Sequence, residues 1–330
     1  MIKLRVPAAG IACAAAFAIL ASAASAEVKV AHDSPPSLKL AGPYVWGHTF
    51  AEAIKAGGIA VKEYKRGALG GEAERLDQVS QGLLEVSMSA VQVVGKMDTL
   101  IYGAYLPYLY KDLQHFDRAV AQAKVIEKIN AQITPKGVRL LAFTALGPEV
   151  GIFNTKHPVR SVADLKGLRM RALDKSQIAL YKAWGATGTV VPWKEVPNAL
   201  QTGVAHGYLN PVFVPALFGH TDFIKHFTDA KVSVAVRVAI ASEQWYKGLK
   251  LEQRRTVDAA VARATKTNRD WTVSSKPAMT GMATGKGVTV IALSPEARAE
   301  FVKRSRTVYT QGVLKPDQLK VWTDAAKATE

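Results

Sequence analysis

The sequence predicts an α/β fold with two lobes. A chain of 330 residues is too long for one small core and suits two domains of ordinary size. Strand and helix patterns alternate from residue 27 to residue 143, which is typical of parallel sheets covered by helices. The same alternation starts again after Gly147 and Pro148. We therefore expect a second sheet to begin near residue 148.

The first lobe opens with period-two alternation over residues 27–31, which predicts a strand. Trp46, Phe50 and Ile54 then recur at helical spacing behind Gly42 and Pro43, which predicts a helix. The remaining predicted elements are a strand over 59–64, a loop over 67–71, a helix over 72–83, a strand through 86–88, a helix over 112–133 and a strand over 138–143.

The second lobe repeats this pattern, and two later segments are predicted to join the lobes. The apolar run 232–240 is too long for an edge strand and is expected to pass from one lobe to the other. The helix predicted over 251–275 could span both lobes. The other predicted elements are strands over 150–153, 168–172, 189–191 and 288–292, and helices over 176–184, before Gly203 and from Ser294.

These elements give a predicted division of the chain into two lobes. The first lobe takes residues 27–147, and about 236–282 return to it. The second lobe takes residues 148–235, and about 283–330 return to it.

Residues 1–26 have the pattern of a secretory signal peptide. Lys3 and Arg5 precede an apolar stretch over 11–24, which is shorter than the roughly 20 residues that span a bilayer. Cleavage is predicted after Ala26, so the mature protein is expected to be exported. The single cysteine, Cys13, lies inside this segment in a poor lipobox, so the mature chain would have no disulfide or thiol nucleophile.

The mature chain is strongly basic. Without Lys3 and Arg5 it carries 41 basic and 27 acidic residues, a formal charge of +14. Such an excess suits anionic partners. The basic residues are spread along the chain, and the predicted compartment is extracytoplasmic, which argues against nucleic acid. Small organic anions, or an acidic surface on a membrane protein, fit better.

The sequence contains no convincing motif for catalysis or metal binding. The glycine loop 67–71 matches neither the GxxxxGK[ST] nor the GxGxxG pattern. No two histidines stand at HExxH spacing, so neither a metal nor a cofactor is predicted. The histidines are His32, His48, His115, His157, His206, His220 and His226.

Arg169 and Arg171 alternate with apolar residues in the strand predicted over 168–172. They could form the solvated face of a half-exposed strand. Alternatively, one of them ends the strand at a cleft between the lobes, where its planar fork holds a carboxylate. Asn210 allows two interpretations as well, a turn residue before proline or a donor to a carboxylate. Trp193 is either a core residue or a flat wall for a ligand.

Four stretches together resemble the periplasmic solute-binding subunit of tripartite ATP-independent periplasmic (TRAP) transporters, the DctP family. They are YKRGALGGEAERLDQVSQGLLEVSMSA at 64–90, LPYLYKDLQHF at 106–116, SVADLKGLRMRA at 161–172 and VVPWKEVPNALQTGVAHGYLNP at 190–211. Their order and spacing are those of the family, and the last two are the specific ones. The resemblance implies a fold like that of periplasmic binding proteins, with a hinge and a long helix spanning both lobes.

The resemblance also implies roles for individual residues. The second arginine of KGLRMR, here Arg171, is the family's carboxylate clamp, whereas Arg169 has no such role and is expected to be a neighbouring surface or lobe contact. Asn210 and Trp193 match residues that line the family's cleft. The first-lobe positions that close over the ligand match Asp33 and a loop that includes Ser89, Ala90 and Gln92.

Departures from the family pattern bear on the ligand. Sialic-acid-binding members carry further charged residues where this chain has Gly151, Ala90 and Val93, and an acidic residue usual before glycine is His206 here. Leu209 replaces a residue that is often polar. The pocket is therefore expected to be less polar than a sugar-acid site. With Trp193, Tyr208 and Phe213 nearby, it would suit a monocarboxylate with an apolar or aromatic body.

The resemblance implies a binding protein that closes on an organic anion without transforming it. The closed form would dock on DctQ-like and DctM-like membrane subunits, and the protein would be a monomer or a dimer. The alternative is an exported enzyme that acts on a carboxylic acid and uses the same fold. That reading needs an activated acid or base in the cleft, for which His206 is the candidate.

Overall fold

The computed structural model describes residues 27–311 and 313–330 and contains two separate mixed sheets. The predicted two-lobe α/β fold is thereby confirmed. The predicted signal peptide, with its cleavage after Ala26 and with Cys13, lies outside the described residues. Within those residues, no helix combines the length and the apolar character needed to cross a membrane.

The strands, numbered along the chain, are β1 (Val28–Ala31), β2 (Val61–Tyr64), β3 (Val86–Ser89), β4 (Val138–Ala145), β5 (Gly151–Asn154), β6 (Arg169–Ala172), β7 (Thr187–Val190), β8 (Gly207–Asn210), β9 (His226–Asp229), β10 (Val236–Ser242) and β11 (Thr289–Ala292). The α-helices are α1 (Gly42–Ala56), α2 (Glu72–Ser80), α3 (Val91–Val94), α4 (Leu113–Gln122), α5 (Val125–Ile133), α6 (Lys175–Ala183), α7 (Val196–Gln201), α8 (Val214–Phe218), α9 (Glu243–Gly248), α10 (Leu251–Gly285), α11 (Pro295–Arg306) and α12 (Pro316–Ala328).

The two sheets have the same kind of arrangement. The first has the strand order β2-β1-β3-β10-β4, and β10 is antiparallel to both of its neighbours. The second has the order β11-β9-β5-β8-β6-β7, and β5 is antiparallel to both of its neighbours. The antiparallel strands β5 and β10 are the two that follow the non-helical connections between the lobes, whereas β11, which follows α10, is parallel to its neighbour β9. Each sheet therefore has one strand that runs against the others, and that strand enters from one of these two connections.

The two connecting segments run side by side between the sheets. The amide of Leu146 donates to the carbonyl of Ala235 at 2.8 Å. Val150 donates to Ser233 at 2.9 Å and accepts from Val232 at 2.8 Å. The apolar run 232–240 thus passes between the lobes as predicted, and only its second part is a strand. This paired backbone lies at the crossing between the lobes, where the resemblance to the family implies a hinge.

Helix α10 is the third connection and spans both lobes, as predicted. Its 35 residues extend about 52 Å at 1.5 Å per residue. Val257 and Ala260 pack into the core beside α1, whereas Met279 and Ala283 pack into the core beside α8. The helix continues ten residues beyond the predicted end at 275, to Gly285.

The C-terminal helix α12 lies in the first lobe, which differs from the predicted return of residues 283–330 to the second. Trp322 is fully buried and stacks on Phe116 of α4 at 6.2 Å between ring centroids. Its indole nitrogen donates to the carbonyl of Leu100 at 2.7 Å. The segment between α11 and α12 is thus a fourth connection. The expectation failed because it did not account for the large apolar surface of Trp322.

The helix predicted over 112–133 is two helices, α4 and α5. Lys124 separates them in the left-handed conformation, with a φ of 49°. An α-helix does not pass through that conformation. The periodicity on both sides of Lys124 is helical, so the sequence pattern did not reveal the break.

Candidate ligand-binding cleft

A cavity of about 280 Å³ lies between the two lobes and is lined by residues of both. Arg171 and Asn210 reach it from the ends of β6 and β8, which are parallel neighbours in the second sheet. Ligands of open α/β sheets bind outside the carboxyl ends of strands, and this cavity is so placed. Asp33 reaches the cavity from the end of β1 in the first sheet.

Arg171 is 2% exposed and presents its guanidinium to the cavity. Its Nε donates to the carbonyl of Val191 at 2.8 Å, which fixes the plane and leaves the terminal nitrogens for another partner. Nη2 is buried and has no hydrogen-bond partner among the described residues. Burial lowers the pKa of Arg171 to about 10, so the group stays charged at neutral pH. A buried, charged donor without a partner is the expected feature of an anion site.

Arg169 lies at the opposite end of β6, two residues or about 6.6 Å from Arg171. Its side chain is exposed and donates from Nε to the carbonyl of Gly203 at 2.9 Å. His206 is beside it, where its Nδ1 accepts from the Arg169 amide at 3.3 Å. Neither residue lines the cavity, because the start of each strand is at the far edge of the sheet.

Trp193 forms a wall of the cavity within a cluster of aromatic rings. Its ring centroid is 5.2 Å from that of Phe218 and 5.1 Å from that of His220. The Arg171 guanidinium lies 5.3 Å from the Trp193 ring centroid, within the range of a cation–π contact. Tyr208 is behind this wall, fully buried, with its hydroxyl 3.0 Å from His220 Nδ1. Burial, together with Arg171 and Arg66, lowers the pKa of His220 to about 4.

The first-lobe side of the cavity holds an ionic network centred on Arg237. Its Nε donates to Asp33, and its Nη2 donates to Glu72 at 2.7 Å. Burial by itself would lower the pKa of Arg237, but the two carboxylates outweigh burial and raise it. For Asp33, burial by itself would raise the pKa, but the positive charges of Arg237 and Arg75 hold that pKa below its ordinary value. These charged groups therefore form ion pairs with one another.

The loop after β3 contributes to this side in two ways. Ala90 donates its amide to Glu72 at 2.7 Å, and the Ser89 hydroxyl lies 3.5 Å from the same carboxylate. These two residues hold Glu72 and do not themselves line the cavity. Gln92 does line it, is 4% exposed, and its Oε1 has no hydrogen-bond partner among the described residues.

The structure brings six of the ten predicted site residues together at the cavity. They are Asp33, Gln92, Arg171, Trp193, Asn210 and Phe213. The other four are Ser89, Ala90 and Tyr208, which pack behind the wall, and Arg169, which lies at the far edge of the sheet. Ser89, Ala90 and Tyr208 were expected near the ligand from their positions along the chain, and a position does not fix the direction of a side chain. Arg169 lies outside the cavity, where the resemblance implied a neighbouring contact.

Several residues of the cavity wall were not predicted from the sequence. Arg237 is the single charged residue in the apolar run 232–240, the same signal that drew attention to Arg171. Glu72, Tyr102 and Tyr105 gave no comparable signal. Val308, Val313 and Leu314, from the connection between α11 and α12, also line the cavity.

Comparison with known proteins assigns the chain to a family. Residues 39–315 match the model of the DctP family, described as bacterial extracellular solute-binding protein, family 7. The chain belongs to this family. A solute-binding protein of Roseobacter denitrificans is 30% identical over 71% of this chain and 72% of its own length. The ectoine/5-hydroxyectoine-binding periplasmic protein UehA of Ruegeria pomeroyi is 29% identical over 67% of this chain, a match that spans 66% of UehA.

Solved structures of TRAP periplasmic solute-binding proteins share this DctP-family fold. One from Xanthobacter autotrophicus, with bound β-D-galacturonate, has a TM-score of 0.81 at 22% identity and covers 91% of this chain and 99% of its own. One from Chromohalobacter salexigens, with bound D-glucuronate, has a TM-score of 0.82 at 18% identity and covers 92% of this chain and 100% of its own. The resemblance to the TRAP solute-binding proteins is thus confirmed.

Membership in the DctP family settles the choice between binding protein and enzyme. The family consists of solute-binding proteins, so the exported-enzyme alternative is not supported. The position of His206, away from the cavity, agrees with this conclusion. Among the described residues, no group of three or more His, Cys, Asp or Glu side chains is arranged to hold a metal ion.

Proposed function

We propose that this protein is the extracytoplasmic solute-binding subunit of a TRAP-type transporter that captures an organic acid anion on Arg171. The observation that carries the proposal is Arg171, a buried arginine that lines the interlobe cavity and whose Nη2 has no hydrogen-bond partner among the described residues. A ligand carboxylate would supply the ionic partner that a desolvated guanidinium needs. The names of relatives support an acid ligand, because they include a C4-dicarboxylate-binding and a 2,3-diketo-L-gulonate-binding periplasmic protein.

The two lobes would close on the bound anion. Arg171 belongs to the second lobe, and the Arg237 network belongs to the first, so a ligand between them contacts both. The ligand stabilises the closed state by its differential affinity for the two conformations. One contact already joins the lobes beside the cavity, where the Arg66 guanidinium lies 5.2 Å from the Phe218 ring centroid.

The closed protein would deliver its ligand to DctQ-like and DctM-like membrane subunits, in the periplasm and after removal of residues 1–26. Family membership supports this role. The formal charge of +14 for residues 27–330 would favour an acidic docking surface on those subunits.

A thermal-shift screen of residues 27–330 against a library of carboxylates tests the proposal. We expect one class of acid to raise the melting temperature, by an amount that increases with the logarithm of its affinity. Mass spectrometry of the bound acid after prolonged incubation should recover it unchanged. The proposed function would be contradicted if every acid in the library left the melting temperature unchanged, or if the protein converted the acid to a product.

A further inference from the structure

Two residues that line the cavity, one on each lobe, hold a buried polar atom that has no hydrogen-bond partner among the described residues. Eight buried side-chain atoms of the described residues have no hydrogen-bond partner. Of these, only Arg171 Nη2 and Gln92 Oε1 belong to residues that line the cavity. An unpaired buried polar group is costly, so each atom indicates a ligand group that completes it. The cationic nitrogen needs an anion, and the amide oxygen needs an O–H or N–H donor.

The charges around the cavity allow one carboxylate and not two. Asp33 and Glu72 both bind Arg237, so this second guanidinium already has anionic partners. Lys175, the other cation that lines the cavity, is exposed and therefore solvated. A further arginine cannot stand at position 151, because a Cβ on Gly151 would lie 2.3 Å from the Phe227 ring and 2.5 Å from the Thr228 carbonyl. Arg171 is thus the one buried cation without an anionic partner among the described residues of the cavity.

The wall of the cavity is mainly apolar and partly aromatic. Trp193 is held nearly perpendicular to Phe218, at an interplanar angle of 88°, and to Tyr208, at 78°. Phe213 approaches the hinge closely, where a Cβ on Gly147 would lie 2.5 Å from its ring. Fixed rings of this kind offer a rigid wall to a flat, apolar ligand body. Other apolar side chains around the cavity are Leu106, Leu146 and Leu217.

We propose, on the basis of the function proposed above, that the ligand is an aromatic monocarboxylate with one hydroxyl or amino donor. Its carboxylate binds Arg171, its donor binds Gln92 Oε1, and its ring lies against Trp193. A uronate carries several hydroxyl groups, which the apolar Trp193 wall disfavours. A dicarboxylate carries a second anionic group, for which no second unpaired guanidinium lines the cavity among the described residues.

Calorimetric binding to a matched set of acids tests this inference. The set is phenylacetate, its ring-hydroxylated and ring-methoxylated derivatives, mandelate, homophthalate and D-galacturonate. We expect the tightest hydroxylated acid to bind about tenfold more tightly than phenylacetate, as one additional hydrogen bond to a buried acceptor allows. The methoxylated acids have no donor and should gain nothing.

Substitution of Gln92 tests whether its Oε1 causes the preference for the hydroxylated acid. Gln92→Met keeps the length of the side chain and removes the acceptor, so the tenfold preference for the hydroxylated acid should disappear while phenylacetate binds as before. Gln244→Met, at an exposed glutamine on α9, is the control and should keep the preference.

The outcomes separate this inference from the proposed function. Tighter binding of D-galacturonate or homophthalate, or no binding of any aromatic monocarboxylate, would overturn the inference. A preference that persists in Gln92→Met would overturn it as well. If Arg171→Ala no longer binds the acid that the wild type binds, the proposed carboxylate clamp is supported even when the inference fails.

Discussion

His220 shows how the environment of one residue changes its chemistry. It is 2% exposed, and its Nδ1 pairs with the Tyr208 hydroxyl at 3.0 Å. Burial first, then the positive charges of Arg171 and Arg66, lower its pKa from 6.5 to about 4. The imidazole is therefore neutral in the folded protein at a pH where a free histidine takes up a proton.

This shift predicts a pH dependence of folding. Below pH 6.5 the unfolded chain protonates this histidine and the folded chain does not, so stability falls as pH decreases from 6.5 to about 4. Urea denaturation should show that His220→Asn reduces the stability loss between neutral pH and about pH 5 by about 2 kcal/mol. The control His157→Gln, at an exposed position, should keep the wild-type slope. An unchanged slope in His220→Asn would contradict the assigned pKa.

Among single residues, Arg169 and Arg171 show what could be predicted from the sequence. Alternation identified two arginines in a strand, and resemblance to the family distinguished one of them. The structure places Arg171 at the cavity and Arg169 on the Gly203 carbonyl, which agrees with that distinction. Arg237 carried a similar signal but was overlooked, because its partners Asp33 and Glu72 are 204 and 165 residues away in sequence.

The break between α4 and α5 illustrates the limits of sequence patterns at the scale of elements. Hydrophobic periodicity predicted the strands β1, β3 and β4 and the helix α1 close to their observed bounds. It did not predict the left-handed residue Lys124, because lysine carries no preference for that conformation. The mixed sheets were missed for a related reason, since strand direction depends on where the chain crosses between lobes.

Lys124 is therefore a site where glycine should stabilise the protein. Release of the left-handed strain, less the greater entropy of glycine in the unfolded chain, should raise the free energy of unfolding of Lys124→Gly by about 0.5–1 kcal/mol. Lys128→Gly, an exposed position inside α5, should instead lower it by about 1 kcal/mol. Urea denaturation of both variants measures the contrast. Destabilisation by Lys124→Gly would show that the residue is not strained.

On the scale of the whole molecule, four connections join the lobes. Two are the paired backbone segments of the hinge, one is α10, and one leads from α11 to α12. The last connection contributes Val308, Val313 and Leu314 to the cavity wall. Sequence patterns predicted the first three. The fourth connection was not predicted, because its position depends on Trp322, whose partners Leu100 and Phe116 are distant in sequence.

The packing of α12 predicts a large effect of one substitution. Trp322→Ala removes a fully buried indole from the first-lobe core and should lower the free energy of unfolding by about 3–5 kcal/mol. Lys320→Ala, on the exposed side of the same helix, should change it by less than about 0.5 kcal/mol. Equilibrium denaturation compares the two. A loss below about 1 kcal/mol for Trp322→Ala would mean that α12 is not part of the first lobe.

Arg171 is the proposed anchor of the bound anion between the lobes. Its Nε is fixed by the Val191 carbonyl, and its Nη2 is buried and free within the described residues. Lysine at this position would offer a point charge without the planar fork, so Arg171→Lys should also bind weakly.

Titration calorimetry with the acid found in the carboxylate screen tests this claim most directly. We expect Arg171→Ala to lose about 2–5 kcal/mol of binding free energy, a factor of about 30 or more in affinity. Arg169→Ala removes an exposed arginine of the same strand and should bind as the wild type does. Wild-type affinity in Arg171→Ala, or an equal loss in both variants, would contradict the account.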